Sequence, residues 1–235
     1  MNEIELHELE MALAEPIHRP GSGARLTIAL KPEPFVAPTL ISSETDPESL
    51  FSVEVIFVNA SAAVGKSWMA AFLSSSRNIP LLNLANVRVS TNSLVGLLQA
   101  DFSGSDDPIQ AFHEGRLPVI IDALDEGRLL SGEQNFDSFI ETTGELLLQN
   151  RGITDRPKII LLGRHESAEQ ASIWLELIEV QFCSVEVGFF DEPAARKMID
   201  VYARTSIAGD APYLQHPGPV SDLVDAYFSA IESAL

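Results

Sequence analysis

Two successive segments, Val53-Glu-Val-Ile-Phe-Val58 and Ala60-Ser-Ala-Ala-Val-Gly-Lys-Ser67, indicate the fold most clearly. The first segment is an apolar run rich in β-branched residues, which is typical of a buried strand. The second is a turn of small residues that ends in Gly-Lys-Ser, and a helical pattern continues to about Ser76. A buried strand, a tight turn and a helix in this order predict the first half of a βαβ unit.

Four more runs of strand length follow along the chain, and helical segments separate them. The runs are Ile79–Leu84, Leu117–Asp122, Lys158–Gly163 and Val180–Val187. Helices are predicted over 92–100, from Pro108, over 132–150, from Ser167 to about Ile178 and from Asp191 to about Arg204. Ser131 with Gln134, and Ser167 with Gln170, have the spacing of a capping box. The alternation predicts a three-layer α/β fold with about five mainly parallel strands, whose ligands bind beyond the carboxyl ends of the strands.

The two ends of the chain differ from this regular middle. Residues 1–47 contain a short acidic helical pattern over 3–14, a possible strand over 25–30 and several prolines, so we predict an extension that wraps on the main body or meets a partner. Residues 48–205 form the predicted core. Residues 206–235 are interpreted as the start of a helical subdomain, with a last helix over 220–234.

Composition excludes several classes of protein. The 235 residues are 46% hydrophobic, which excludes wholesale disorder. The 15 Lys and Arg residues against 34 Asp and Glu residues give a net charge of −19, which argues against direct binding of nucleic acid or anionic lipid. The single cysteine, Cys183, excludes a disulfide framework and is expected to be a buried apolar residue. No apolar run reaches the length of about 18 residues that spans a bilayer. We therefore expect a cytoplasmic protein without a membrane segment.

The turn after the first strand predicts a phosphate-binding loop. It follows the pattern G-x-x-x-x-G-K-[ST], except that Ala60 stands where the first glycine is usual. Gly65 allows the tight turn that points backbone N–H groups at phosphate, and the helix that follows adds its positive end. Lys66 is expected to reach the β- and γ-phosphates, and the Ser67 hydroxyl is expected to bind Mg²⁺. The predicted nucleotide-binding residues here are Ala60, Ser61, Ala62, Ala63, Val64, Gly65, Lys66, Ser67 and Trp68, although the helical position of Trp68 also favours a place in the core.

Three carboxylates follow the third strand in Val119-Ile-Ile-Asp-Ala-Leu-Asp-Glu126. An acid at the tip of a strand beside the phosphate-loop strand is the Walker B arrangement, so Asp122 is predicted to hold Mg²⁺. Asp125 and Glu126 come one turn later, and one of them can orient the attacking water or take its proton. The alternative is an acidic strand end exposed to solvent, which explains one carboxylate better than three.

The fourth strand ends in Gly163-Arg164-His165-Glu166. Its carboxyl end should face the same crevice, where Arg164 can contact the γ-phosphate and sense its loss. The alternative is a surface arginine that pairs with Glu166 or Asp122. His165 is interpreted as a polar neighbour.

Together these motifs predict a P-loop NTPase, and their order resembles the NACHT-type branch of the STAND class. The Asp122-Ala-Leu-Asp-Glu126 box carries most of the resemblance, and Ile159–Arg164 and Val187–Met198 resemble the segments that follow in that family. The resemblance implies ATP or ADP with Mg²⁺, slow hydrolysis used as a switch, and a protein partner or self-oligomer formed on ATP binding. It also suggests prokaryotic signalling or phage defence, and it places a proline near the adenine, for which Pro217 and Pro219 are the candidates.

Three other interpretations of the motifs compete with this one. A GTPase fits poorly, because the sequence has no N-K-x-D box and no D-x-x-G switch after the third strand. A small-molecule kinase would want an arginine-rich lid, whereas Arg128, Arg151 and Arg156 are scattered. An interaction module that kept the fold and lost hydrolysis is compatible with Ala60 and with the acidic surface.

Overall fold

The computed structural model describes residues 2–16, 19–21, 24–33, 35–42, 50, 52–61, 65–102, 107–149, 158–188 and 192–205. The predicted helix over 220–234 lies outside these residues, as does Pro217. No helix within the described ranges has the length and apolar character needed to cross a membrane.

A seven-stranded sheet forms the centre of the fold, in the order β1-β2-β7-β3-β6-β5-β4. Its strands are β1 (Asn2–Ile4), β2 (Leu40–Ser42), β3 (Val55–Asn59), β4 (Leu81–Asn83), β5 (Val119–Asp122), β6 (Ile159–Gly163) and β7 (Phe182–Val187). The last five are parallel to one another, and β2 joins β7 in antiparallel orientation. The predicted α/β fold with about five mainly parallel strands is confirmed, and the N-terminal segment adds two strands to it.

Helices cover both faces of the sheet. They are α1 (Leu6–Ala12), α2 (Lys66–Arg77), α3 (Ser93–Asp101), α4 (Pro108–His113), α5 (Leu124–Ser131), α6 (Glu133–Leu148), α7 (His165–Leu177) and α8 (Glu192–Thr205), with a 3-10 turn at Leu84–Asn86. Alternate residues of β3 point to opposite faces, so Phe57 packs in the core cluster of α6 and α7, while Ile56 and Val58 pack in that of α1 and α2. This gives the predicted three layers. Cys183 is buried in β7, as predicted.

The order of the central strands corrects one expectation. We predicted that the strand of Asp122 lies directly beside the phosphate-loop strand, but β6 lies between β3 and β5. Val55 and Val119 are both in register with Ile159, on either side of β6. Arg164, which follows β6, is therefore placed between the loop after β3 and the acids after β5.

Both predicted capping boxes are wrong. Ser131 is the last residue of α5, and its Oγ accepts a hydrogen bond from the backbone N–H of Val89 at 2.9 Å. The next helix begins after Gly132, whose φ of +81° breaks the helical path. Ser167 does not start a helix either, since α7 begins at His165. A three-residue spacing of polar residues recurs inside helices as well as at their starts, so the pattern alone did not locate these ends.

The secondary structure of the N-terminal segment differs from the prediction in two places. The helix expected over 3–14 is divided into β1 and the shorter α1. The prediction of a strand over 25–30 is wrong, because this stretch contains an isolated bridge between Thr27 and Leu81 instead. The boundaries at 47 and 205 that we predicted for the core remain predictions.

Candidate functional site

A cleft of about 290 Å³ opens at the carboxyl ends of the parallel strands. Eight of its lining residues were predicted from the sequence: Gly65, Lys66, Ser67, Trp68, Asp122, Asp125, Glu126 and Arg164. The fold thus brings the phosphate-loop motif, the acidic cluster and the arginine to one place. Ala62, Ala63 and Val64 lie outside the described residues, while Ala60 is buried at the end of β3 and Ser61 is exposed.

The phosphate-loop end of the cleft is built by Gly65 and Lys66. Gly65 has φ +90° and precedes the first turn of α2, and this left-handed conformation favours glycine. A Cβ atom there would meet nothing within 4 Å, so the backbone borders open space. The Lys66 ammonium donates to the carbonyl oxygens of Ala60 at 3.0 Å and Ser61 at 3.1 Å. Partial burial lowers the pKa of Lys66, the Asp125 carboxylate opposes that shift, and Arg164 adds to it.

Ser67 and Asp122 form the second part of the cleft. Asp122 is only 2% exposed, and the Ser67 hydroxyl and the backbone N–H of Ala123 lie beside its carboxylate. Burial raises the pKa of Asp122 and Glu126 adds to the rise, while the polar hydrogens of Ser67 and Ala123 oppose it. A hydroxyl and a carboxylate on adjacent elements are hard oxygen donors, which suit Mg²⁺.

This donor set fits a magnesium ion that arrives with a nucleotide. Within the described ranges, no group of three or more His, Cys, Asp or Glu side chains is arranged to hold a metal ion alone. Mg²⁺ commonly takes one or two carboxylates from the protein and completes its shell with phosphates and water. Ser67 and Asp122 meet that requirement.

Ala123 adopts a left-handed backbone conformation between Asp122 and α5, with φ +65° and ψ +45°. A non-glycine residue in this region costs about 1 to 2 kcal/mol. The turn reverses the chain at the tip of β5, so α5 begins at the next residue and carries Asp125 and Glu126 in its first turn. Strain of this kind is concentrated at functional sites.

The two acids of α5 have different surroundings. The Asp125 carboxylate accepts from the backbone N–H of Arg164 at 2.9 Å and from the Ser167 hydroxyl at 2.6 Å. Glu126 is exposed and lines the cleft. Although the two acids are adjacent in the sequence, the Asp125 carboxylate is hydrogen-bonded to α7, whereas Glu126 is exposed in the cleft.

Arg164 lies at the mouth of the cleft with 57% of its side chain exposed. Its Nε is 3.9 Å from Asp125 Oδ2, so its partner is neither Glu166 nor Asp122, the two that the surface alternative named. His165 is also exposed, and its Nε2 lies 3.6 Å from Glu186 Oε1. The interpretation of His165 as a polar neighbour agrees with that contact.

Sequence reasoning missed several residues of the site. Asn83 ends β4 in register with Asp122 and lines the cleft, and its side chain accepts from the Ala85 N–H at 2.9 Å. A polar residue directly after the second apolar run was the available signal for Asn83. The spacing predicts a helix cap at Ser167, whereas its hydroxyl donates to Asp125. Trp68 was also expected in the core, but it is 40% exposed at the cleft.

Among known proteins, similarity to this chain was found in solved structures alone. No protein-family model and no curated protein matches the chain. Among solved structures, it is similar to the Walker-type ATPase PABY2304 of Pyrococcus abyssi, with 14% identity over 70% of this chain and 57% of that chain, and a TM-score of 0.49. It is also similar to PCH-2 of C. elegans, with 13% identity over 70% of this chain and 43% of that chain, and a TM-score of 0.38. The chain thus spans about half the length of these proteins.

At these scores neither similarity bears on function. The sheet order and the position of Gly65–Ser67 at the end of its central strand agree by themselves with the P-loop NTPase fold that the sequence predicts.

Proposed function

We propose that this chain is a Mg²⁺-dependent ATP-binding domain that hydrolyses ATP slowly and uses the nucleotide as a switch. The observation that carries the proposal is the close approach of the Ser67 hydroxyl to the Asp122 carboxylate, in the same cleft as Lys66, Glu126 and Arg164. It joins the start of α2 to the tip of β5 across the intervening strand. A hydroxyl, a buried acid and a lysine placed together in this way suit a metal–triphosphate complex.

The phosphates would be bound by Gly65, Lys66 and the start of α2. The Lys66 ammonium, now bonded to two carbonyl oxygens of its own loop, would exchange them for phosphate oxygens. Ser67 and Asp122 would hold Mg²⁺, which supplies neutralisation of the phosphate charge. We assign the adenine contacts to Trp68 and, by the family resemblance, to Pro217.

Hydrolysis would proceed by in-line attack of water on the γ-phosphorus. The new bond joins the water oxygen to phosphorus, and the bond from that phosphorus to the β,γ-bridging oxygen breaks. The water proton passes to a carboxylate of the pair Asp125 and Glu126 and then to solvent. Arg164 offsets negative charge on the γ-phosphate and responds when that phosphate leaves.

The finer assignment follows the resemblance to NACHT-type STAND proteins. It makes the core at 48–205 a switch that recruits a protein partner or a second copy in its ATP form, in the cytoplasm, in signalling or phage defence. By the sequence prediction, an extension at 1–47 and the start of a helical subdomain at 206–235 flank that core.

An inactive interaction module finds less support in the structure than in the sequence. Ala60 is fully buried, and its N–H donates to the Gly163 carbonyl at 3.2 Å, so alanine is accommodated where glycine is usual. Arg128 does not support the arginine-rich lid of a kinase, because it bonds Gln170 and lies 3.7 Å from Glu133.

Calorimetry with Mg-ATP, and with Mg-GTP as the comparison, tests nucleotide binding. Lys66→Ala should weaken ATP binding by about 100-fold, because it removes charge-assisted hydrogen bonds to phosphate. Lys197→Ala, which removes an exposed lysine on α8, is the matched control and should leave affinity unchanged. Equal ATP affinity in the parent and Lys66→Ala would refute the phosphate-loop assignment.

Turnover separates an active switch from an inactive module. Glu126→Gln should retain ATP binding and lower phosphate release at least about 100-fold, as expected for loss of a general base. An unaltered rate would move the catalytic role to Asp125 or to another group. A parent that binds ATP and releases no phosphate would favour the inactive module.

A further inference from the structure

The Asp125 carboxylate is held by one turn of the neighbouring helix. Its Oδ2 accepts from the Arg164 N–H at 2.9 Å and its Oδ1 from the Ser167 hydroxyl at 2.6 Å. The Arg164 Nε lies 3.9 Å from the same Oδ2. Each carboxylate oxygen is thus engaged by a donor from the start of α7.

These bonds fix the position of Arg164. Arg164 is the N-cap residue of α7, and its own side chain does not cap the helix. The Asp125 carboxylate, which belongs to α5, accepts a hydrogen bond from the backbone N–H of Arg164. It also places negative charge at the positive, N-terminal end of the 13-residue α7. Ser167 is only 2% exposed, so water competes little for its bond to Asp125.

We propose that Asp125 and Ser167 are positioning residues that hold Arg164 over the cleft. The pair ties α7, which carries the arginine, to the first turn of α5, which carries Glu126. Both oxygens of Asp125 are used in this role, whereas Glu126 is exposed to the cleft and is left to handle the attacking water. The inference rests on the proposed function, since the position of Arg164 matters only where a γ-phosphate is bound.

The preference for ATP over ADP measures the role of Arg164 without requiring hydrolysis. Arg164→Ala should lower the ratio of the ADP Kd to the ATP Kd by about tenfold, the effect of one charge-assisted hydrogen bond. Ser167→Ala should lower the same ratio several-fold and leave the ADP Kd unchanged. Asp125→Asn should act in the same direction.

A double-mutant cycle distinguishes positioning from a direct role. If Ser167 and Asp125 act through Arg164, their effects vanish when the arginine is absent. Ser167→Ala combined with Arg164→Ala should therefore have the ratio of Arg164→Ala alone. The same should hold for Asp125→Asn combined with Arg164→Ala.

Two variants serve as matched controls. Ser172→Ala removes another serine of α7, whose hydroxyl donates to the Glu169 carbonyl at 2.8 Å. Asp137→Asn alters another acid that holds α7, since Asp137 Oδ1 accepts from Gln170 Nε2 at 2.6 Å. Neither residue lines the cleft, so both variants should keep the ATP preference of the parent even if they unfold at a lower temperature.

The outcomes separate this inference from the proposed function. A parent that binds neither nucleotide overturns both. A parent that prefers ATP, with Ser167→Ala at the parental ratio, overturns positioning alone. Multiplicative losses in the double variants would also overturn it, because they would show that Asp125 and Ser167 contact the nucleotide independently of Arg164.

Discussion

Asp122 is the residue on which the metal assignment depends, and the fold holds it away from water. Burial raises the pKa of Asp122 above the ordinary 3.8, and Glu126 contributes to the rise. Between that ordinary value and its raised native pKa, the folded state binds more protons than the unfolded state. Stability therefore falls as the pH rises through this window, and the cost persists at neutral pH. A bound cation would relieve it.

Asp122→Asn should accordingly stabilise the protein when metal and nucleotide are absent, since the amide removes the buried charge and can still accept from Ser67 and Ala123. The gain in melting temperature should be largest at neutral pH and should shrink as the pH falls toward 3.8. The same variant should weaken Mg²⁺-dependent ATP binding. Thermal unfolding across this pH range checks the first effect, with Asp137→Asn as the comparison. A lower melting temperature than the parent at every pH would contradict the burial cost.

The residues of the site differ in how well the sequence could reveal them. Lys66, Ser67, Asp122 and Glu126 lie in short contiguous motifs that have a chemical reason for their spacing. Asn83 and Ser167 come from elements whose relation to the cleft depends on strand order and on the docking of α7 against α5. That relation is tertiary, so local spacing did not show it.

At the scale of elements, α5 carries two of the acids and is set by close packing on the 3-10 turn at Leu84–Asn86. Gly127 makes this approach possible, because a Cβ there would lie 2.6 Å from the Cβ of Leu84. Gly127→Ala should destabilise the protein by about 1 to 3 kcal/mol through overpacking. It should also lower turnover, because α5 has to shift.

Gly96→Ala is the matched comparison for Gly127→Ala. Gly96 lies inside α3, and a Cβ there would meet nothing within 4 Å. That substitution should stabilise the protein by about 0.5 to 1 kcal/mol, because alanine favours the helix. Chemical denaturation measures both values. Equal effects for the two glycines would rule out the close contact at Leu84.

The elements also show where sequence patterns end. The apolar runs predicted each parallel strand, because burial on both faces imposes a continuous apolar pattern. The helix boundary at Gly132 and the start of α5 after Ala123 depend on single left-handed or unusual backbone conformations. The place of β6 between β3 and β5 is a pairing choice that no local pattern encodes.

At the scale of the whole molecule, the N-terminal segment is built into the sheet. β2 pairs with β7 and β1 pairs with β2, so these strands cover the edge that β7 would otherwise expose. On one face, α1 is tied to α2 through the bond from Arg77 to the Leu13 carbonyl at 3.0 Å. The acidic helix expected from the sequence thus has a solvated face and also a buried one.

Leu9 tests whether this segment contributes to stability or is a loosely attached arm. Leu9 is fully buried on α1 and shares a core cluster with Met69 and Leu73 of α2. Leu9→Ala should lower the free energy of unfolding by about 2 to 5 kcal/mol, since it removes buried methyl groups and leaves a cavity. Met11→Ala is the control on the same helix: Met11 is 45% exposed, and the change should stay within about 0.5 kcal/mol. Denaturant unfolding of the two variants measures the difference. Equal stabilities of the two variants would mean that the segment is an appended arm, which favours the prediction that it meets a partner. The expected difference in the free energy of unfolding would make residues 2–42 part of the same cooperative unit as the cleft.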